Sequence, residues 1–300
     1  MRETYPALRL DPVAEPPPAG LEAPFEFTEA QPLAAPVLFA SPHSGSLYPA
    51  DMQAALCVPL IDVRRTEDAF VDELFAAAPS LGAGLLAARY GRSVVDLNRD
   101  PNELDASMFQ DGPPRPCGLP TVRVEAGLGC LPRVGARGEA IYGRLLSRAE
   151  GEERLSRVHD AYHDHLASTL DALRRDHGHA LLIDCHSMPS VQPGRRNLTD
   201  IVLGDRFGSS ADPRLMARVE RSFRANGFSV ARNAPYAGGY TTRRYGRPRR
   251  GTHALQIEIN RSLYMDEHRI TRASGFSALK DALQHVMTDI IDAARLLPRT

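Results

Sequence analysis

The sequence predicts an α/β protein with helices on both faces of a mostly parallel or mixed sheet. Strand-like and helix-like segments alternate along one chain without internal repeats. Runs such as "ALLIDCHSM" read as fully buried strands. With 300 residues and 43% apolar residues, one large core is available.

The elements follow in order. Residues 1–35, with "AEPPPAG" and "TEAQPLAAP", lack periodicity and read as an extended arm before a single catalytic domain over 36–300. "PVLFASPHSG" is the first core strand with the loop that follows it. "RRTEDAFVDELFAAA" reads as a helix, with Ala69, Val71, Leu74 and Phe75 near one another and acids in its first turn. "GLLAARY" and "SVVDLN" are β-compatible, and residues 100–137, rich in Pro and Gly, read as loops with one short strand. Residues 139–177 are helical in pattern, with a break expected near Gly151. "HALLIDCHS", "DIVLGD" and "HALQIEIN" are strands, with a helix near 213–226 and a last amphipathic helix over about 273–297.

Charge excludes some functions. Lys plus Arg is 36 and Asp plus Glu is 37, so a net charge of −1 draws neither nucleic acid nor an anionic membrane. No run approaches the roughly 20 apolar residues that cross a bilayer. Four cysteines without CxxC spacing, and no signal-like leader, set a cytoplasmic expectation. Neither a phosphate-binding glycine motif nor GxSxG is present.

Chemistry gathers where candidate strands end, the place where open α/β sheets bind ligands. "VLFASPH" ends at His43, "SVVDLNR" at Asn98 and Arg99, "LLIDCH" at His186, and "LQIEINR" carries Glu258 before Asn260 and Arg261. Two histidines on separate strand ends plus a carboxylate make a three-ligand catalytic zinc site with one position open. His43 and His186 are the pair, and Glu67 or Asp68 is the acid. Glu258 is then free as general base. Glu258 and Asp184 each sit inside apolar runs where an unpaired carboxylate is costly. Asp184 is expected to accept the free ring N–H of His186 or His43, and Cys185, pointing to the other face, is core packing. His159 and His163 stand four apart on a charged helix without the HExxH glutamate, so only His163 is kept, as a residue supporting a ligand. Arg92, Asn98, Arg99, Tyr240, Arg243 and Arg244 are candidates to grip a small substrate bearing one or two carboxylates.

With these residues in view, "SPHSGSLYP", "TEDAFVDELF", "ARYGRSVVDLNRDP", "LLIDCHSMPS", "VLGDRFGSS", "NAPYAGGYTTRRYG" and "HALQIEINRSLYMDE" resemble the N-formylglutamate amidohydrolase family over about residues 38–270. The resemblance implies one zinc ion per chain, a three-layer α/β/α sandwich related to zinc carboxypeptidases, and release of formate from N-formyl-L-glutamate in histidine degradation. It implies the order His43, acid, His186, Glu258, with Asn98-Arg99 holding a substrate carboxylate, and it ranks Asp68 above Glu67. The compact HxxE of carboxypeptidases is missing, since Ser46 stands three after His43. Alternatives that keep the same residues are a metallohydrolase for another N-acyl amino acid or small peptide, and a binding protein without turnover.

Overall fold

The computed structural model describes residues 21–30, 35–191 and 199–298. Most of the expected arm lies outside the described residues. Its described part contributes β1 (Phe25–Thr28), which pairs antiparallel with β3 (Gly84–Ala88) at the sheet edge. The remaining strands are β2 (Val37–Ser41), β4 (Ala180–Met188), β5 (Ile201–Gly204), β6 (Val230–Arg232) and β7 (Thr252–Asn260).

Seven strands form one mixed sheet in the order β1-β3-β2-β4-β7-β5-β6. The central β3-β2-β4-β7 run is parallel, and β5 turns antiparallel to β7. Helices cover both faces, giving a three-layer α/β/α sandwich. On one face Phe39, Ile183, Cys185, Ile257 and Ile259 pack against the helices Pro213–Ala225 and Phe276–Arg295. On the other, Leu38, Ala40, Leu182 and Ala254 meet Tyr162, Leu166 and Leu170 of the helix Ala161–His177. β4 is buried along its whole length because both of its faces are covered, which explains its unbroken apolar reading.

Four expected elements differ, and the first two differences come with a polar contact. "SVVDLN" is a turn rather than a strand: Val94, Val95 and Leu97 are buried, yet the Asp96 N–H bonds Cys130 O at 2.7 Å while its carboxylate turns inward. The helix expected over 64–78 shrinks to one turn, Val71–Leu74, because the Asp68 N–H bonds His43 O at 2.9 Å and Phe70 takes a left-handed φ of 66°. The long helix starts at Arg148, capped by Ser147 and Glu150, and its irregularity is a π-turn over Leu155–Asp160 rather than a break at Gly151. Residues 100–137 hold helical turns, Ala106–Met108 and Val122–Glu125, in place of the expected strand.

The loop after β2 is tightly seated. A Cβ on Gly45 would lie 2.4 Å from the backbone carbon of Arg89, and backbone cannot step aside as a side chain can. Gly45→Ala is therefore expected to destabilise by about 1–3 kcal/mol, as overpacking does, and to displace His43 two residues away. Urea unfolding measures the first effect; wild-type stability would disprove it.

Candidate functional site

The carboxyl ends of β2, β4 and β7 converge on one cavity of about 590 Å³. Parallel register sets the pieces side by side: Ala40 pairs with Asp184, Asp184 with Gln256, and His186 with Glu258. Alternation along β4 sends Asp184 and His186 to the cavity side and Cys185 into the opposite core.

His43, Asp68 and His186 form a buried group whose candidate ligand atoms lie within 4.8 Å of one another. Asp68 Oδ2 is 3.3 Å from His43 Nδ1 and 3.0 Å from His186 Nδ1. The other ring nitrogens also face carboxylates: His43 Nε2 is 2.7 Å from Asp96 Oδ1, and His186 Nε2 is 3.1 Å from Asp184 Oδ1. A neutral imidazole has one N–H, so it cannot donate to carboxylates on both sides. At His43 a divalent cation on the Nδ1 side resolves that conflict and leaves the Nε2–H for Asp96, while His186 Nε2 meets both Asp184 and the Asn98 amide. The donor set, two imidazoles and one carboxylate, thus fits a divalent metal.

Without a cation in the site, the same carboxylates act on protons instead. Burial resists ionising Asp68, but hydrogen bonds from His186 and His43 hold its carboxyl well below the usual range. Burial likewise opposes protonating His186, and Asp184 and Asp68 overcome it, raising that ring well above its ordinary value. Asp96 is held well below the carboxylate range: burial opposes this, and Arg92, Arg99 and His43 together outweigh it. Glu258 behaves oppositely. Burial pushes its carboxyl up to about 7, against the pull of His186, while Gln256 Nε2 donates to Oε1 at 2.9 Å.

Glu67 lies outside the cluster, its Oε1 accepting from Tyr48 OH at 2.8 Å and Arg64 Nε at 3.0 Å. Asp68 is therefore the acid that meets both histidines. Asn98 is buried in the wall, with Oδ1 accepting the Thr241 N–H at 2.9 Å and Nδ2 3.1 Å from His186 Nε2. A Cβ on Gly239 would sit 2.4 Å from Asn98 Oδ1, so glycine permits this approach. Arg92 and Arg99 line the cavity; Arg92 Nη2 bonds Asp96 Oδ2 at 2.7 Å, and Arg99 Nη1 bonds Asn98 O at 2.9 Å. Tyr240, Arg243 and Arg244 do not line it. Arg244 Nη1 is bonded to Tyr240 OH at 2.6 Å, and Arg243 is 3.5 Å from Asp100 Oδ2. The segment Pro235–Gly239 just before them forms the wall instead. His163 bonds none of the three candidate ligands: its Nε2 is 2.9 Å from Leu97 O and its Nδ1 3.0 Å from Tyr245 OH.

Sequence reading missed Asp96, which carried the same signal as Asp184: an acid inside an apolar run, here "SVVDL". It noted Arg261 at a strand end but gave it no role; Arg261 Nη2 bonds Asp68 Oδ1 at 3.0 Å and its Nε bonds Ser187 Oγ at 3.1 Å. Asp96→Asn is expected to weaken divalent-metal affinity about 10- to 100-fold. Competition against a chromophoric chelator measures it; unchanged affinity would mean that Asp96 serves Arg92 alone.

Fold and site together define an α/β protein with a candidate metal centre at the carboxyl edge of its parallel strands. The family model described as N-formylglutamate amidohydrolase matches residues 35–265, and the chain belongs to that family. It is 35% identical over 239 residues to an N-formylglutamate deformylase of Pseudomonas aeruginosa, covering 77% of this chain and 83% of that protein. A deformylase of the same name from Pseudomonas putida is 34% identical over 238 residues, 77% of this chain and 82% of its own. The crystal structure of N-formylglutamate amidohydrolase from Ralstonia eutropha superposes with a TM-score of 0.86 at 35% identity, over 91% of this chain and 99% of that one. A protein of Agrobacterium tumefaciens at 20% identity and a TM-score of 0.64, matched over 91% of this chain and 96% of its own, shares the fold. The chain is a hydrolase acting on an amide. Among the described residues no helix is long and apolar enough to cross a membrane.

Proposed function

We propose that this protein hydrolyses the formamide bond of N-formyl-L-glutamate to glutamate and formate, in a zinc-dependent reaction that closes a histidine-degradation route. The observation that carries the reading is the buried His43, Asp68 and His186 group beside an Arg-lined cavity, with Glu258 paired to His186 on the next strand. The Pseudomonas relatives named for this reaction support the substrate. Four unpaired cysteines agree with a reducing cytoplasm.

His43, Asp68 and His186 are the residues that would hold zinc. When bound, zinc supplies Lewis acidity, polarising a carbonyl and acidifying a water. Glu258 takes one proton from the attacking water as its oxygen bonds to the formyl carbon. The same carboxyl then gives that proton to the departing nitrogen as the C–N bond breaks, so formate keeps the water oxygen and glutamate leaves as the amine. Asp96 orients the His43 ring through Nε2, and Asp184 and Asn98 flank Nε2 of His186. Arg99 and Arg92, on the wall beyond Asp96, hold a substrate carboxylate as charge-assisted pairs.

The direct test is formate release from N-formyl-L-glutamate by zinc-loaded protein, beside N-acetyl-L-glutamate and N-formylated dipeptides. Preferred turnover of N-formyl-L-glutamate is expected. No release from it, or faster release from a dipeptide, would sink the reading.

A further inference from the structure

The cavity holds more positive charge than its own acids answer. Arg65, Arg92, Arg99, Arg123 and Arg261 line it, against Asp68, Asp96 and Glu258. Arg261 is paired with Asp68 at 3.0 Å, Arg92 with Asp96 at 2.7 Å, and Arg65 turns away to Asp62. Glu258 is bonded to Gln256. That leaves Arg99, whose nearest acid is Asp96 at 3.9 Å, and Arg123, whose guanidinium has neither ion pair nor hydrogen bond among the described residues.

These two arginines lie in sequence outward from the candidate metal ligands. His43 touches Asp96, Asp96 neighbours Arg99, and Arg99 is close enough to feel Arg123. Burial first, and then the like charges of Arg92 and Arg123, lower the Arg99 pKa against the opposing pull of Asp96. Such a cluster is relieved by an incoming anion.

Arg123 is also held in place by its turn. Thr121 Oγ1 accepts the Val124 N–H at 3.2 Å, Leu128 N–H bonds Arg123 O at 2.8 Å, and Arg99 Nε bonds Leu128 O at 3.2 Å. Arg133 Nη2 ties the far side of the turn at Glu125 O, 3.1 Å away. The backbone that carries the exposed guanidinium is thus braced from inside the cavity and from outside it.

We propose that Arg123 determines specificity by receiving a second, distal carboxylate of the substrate, so that the enzyme selects N-formyl amino acids with an acidic side chain. The proposal rests on the reaction proposed above, in which Arg92 and Arg99 hold a substrate carboxylate, taken here as the one nearer the bond that breaks. A planar guanidinium at the cavity mouth, without an acid of its own to be displaced, matches a carboxylate in bidentate fashion.

The test compares N-formyl-L-glutamate with N-formyl-L-norvaline, which lacks the distal charge. In Arg123→Ala, the ratio of kcat/KM for the acidic over the neutral substrate is expected to fall about tenfold or more, through KM, the scale of one charge-assisted hydrogen bond. Arg123→Glu should invert the preference, and Arg123→Lys should restore part of it. A ratio within twofold of wild type in both Arg123→Ala and Arg123→Glu would overturn the assignment, as would equal losses on both substrates. Calorimetry separates this from failure of the reaction. If wild type releases formate from neither compound, tighter binding of glutarate than of butyrate, lost in Arg123→Ala, still supports the subsite; equal binding of the two acids overturns it.

Discussion

Glu258→Gln is expected to lower kcat about 100- to 10,000-fold, the range of a positioned general base, while zinc stays bound. Glutamine keeps the shape of the side chain and its place beside His186, but it has no carboxylate to accept the proton of the attacking water. Glu258 is separate from the His43, Asp68 and His186 group, so metal content measured by mass spectrometry should match wild type. Retained turnover would remove Glu258 from the reaction; lost zinc would make it a ligand. The pH dependence follows from the same carboxyl. A base works ionised, so activity rises as pH passes its pKa. Burial pushes that pKa up to about 7 without metal, and a cation in the site draws it down. The acidic limb of kcat/KM should therefore fall below 7 in zinc-loaded enzyme.

Asp68→Asn is expected to abolish both metal binding and turnover. Its Oδ2 is the atom facing both Nδ1 nitrogens, and its Oδ1 accepts from Arg261 and Ser187. Neutralising it removes the anionic donor and leaves the buried Arg261 guanidinium with no close carboxylate, since Glu267 stands 3.9 Å off. Breaking a buried pair in this way costs about 3–5 kcal/mol, so the metal-free variant should also unfold at lower urea. Glu67→Gln is the matched control: one residue away, Glu67 serves Tyr48 and Arg64, and zinc should remain. A full equivalent of zinc in Asp68→Asn, or its loss in Glu67→Gln, would reverse the assignment.

The residue types at the strand ends were legible because buried strands advertise polar exceptions. His186 ends an apolar run, and Glu258 and Asp184 interrupt such runs, where an acid without a partner is costly. Strand alternation then separated Cys185 from its neighbours. The helices Pro213–Ala225 and Phe276–Arg295 were legible in outline, and both lay an apolar stripe on the sheet.

What the sequence by itself determined is the α/β class, the strands β2, β3, β4, β5 and β7, and the candidates His43, His186 and Glu258 with an acid at 67 or 68. Only the tertiary structure decided between Glu67 and Asp68, recruited Asp96 and Arg261, placed Arg123 at the cavity mouth and left Arg243 and Arg244 outside it. The physical reason is range. Periodicity and burial are local properties of a chain, whereas a carboxylate's role is set by what faces it, and Asp68 meets its partners across 25, 118 and 193 residues of sequence.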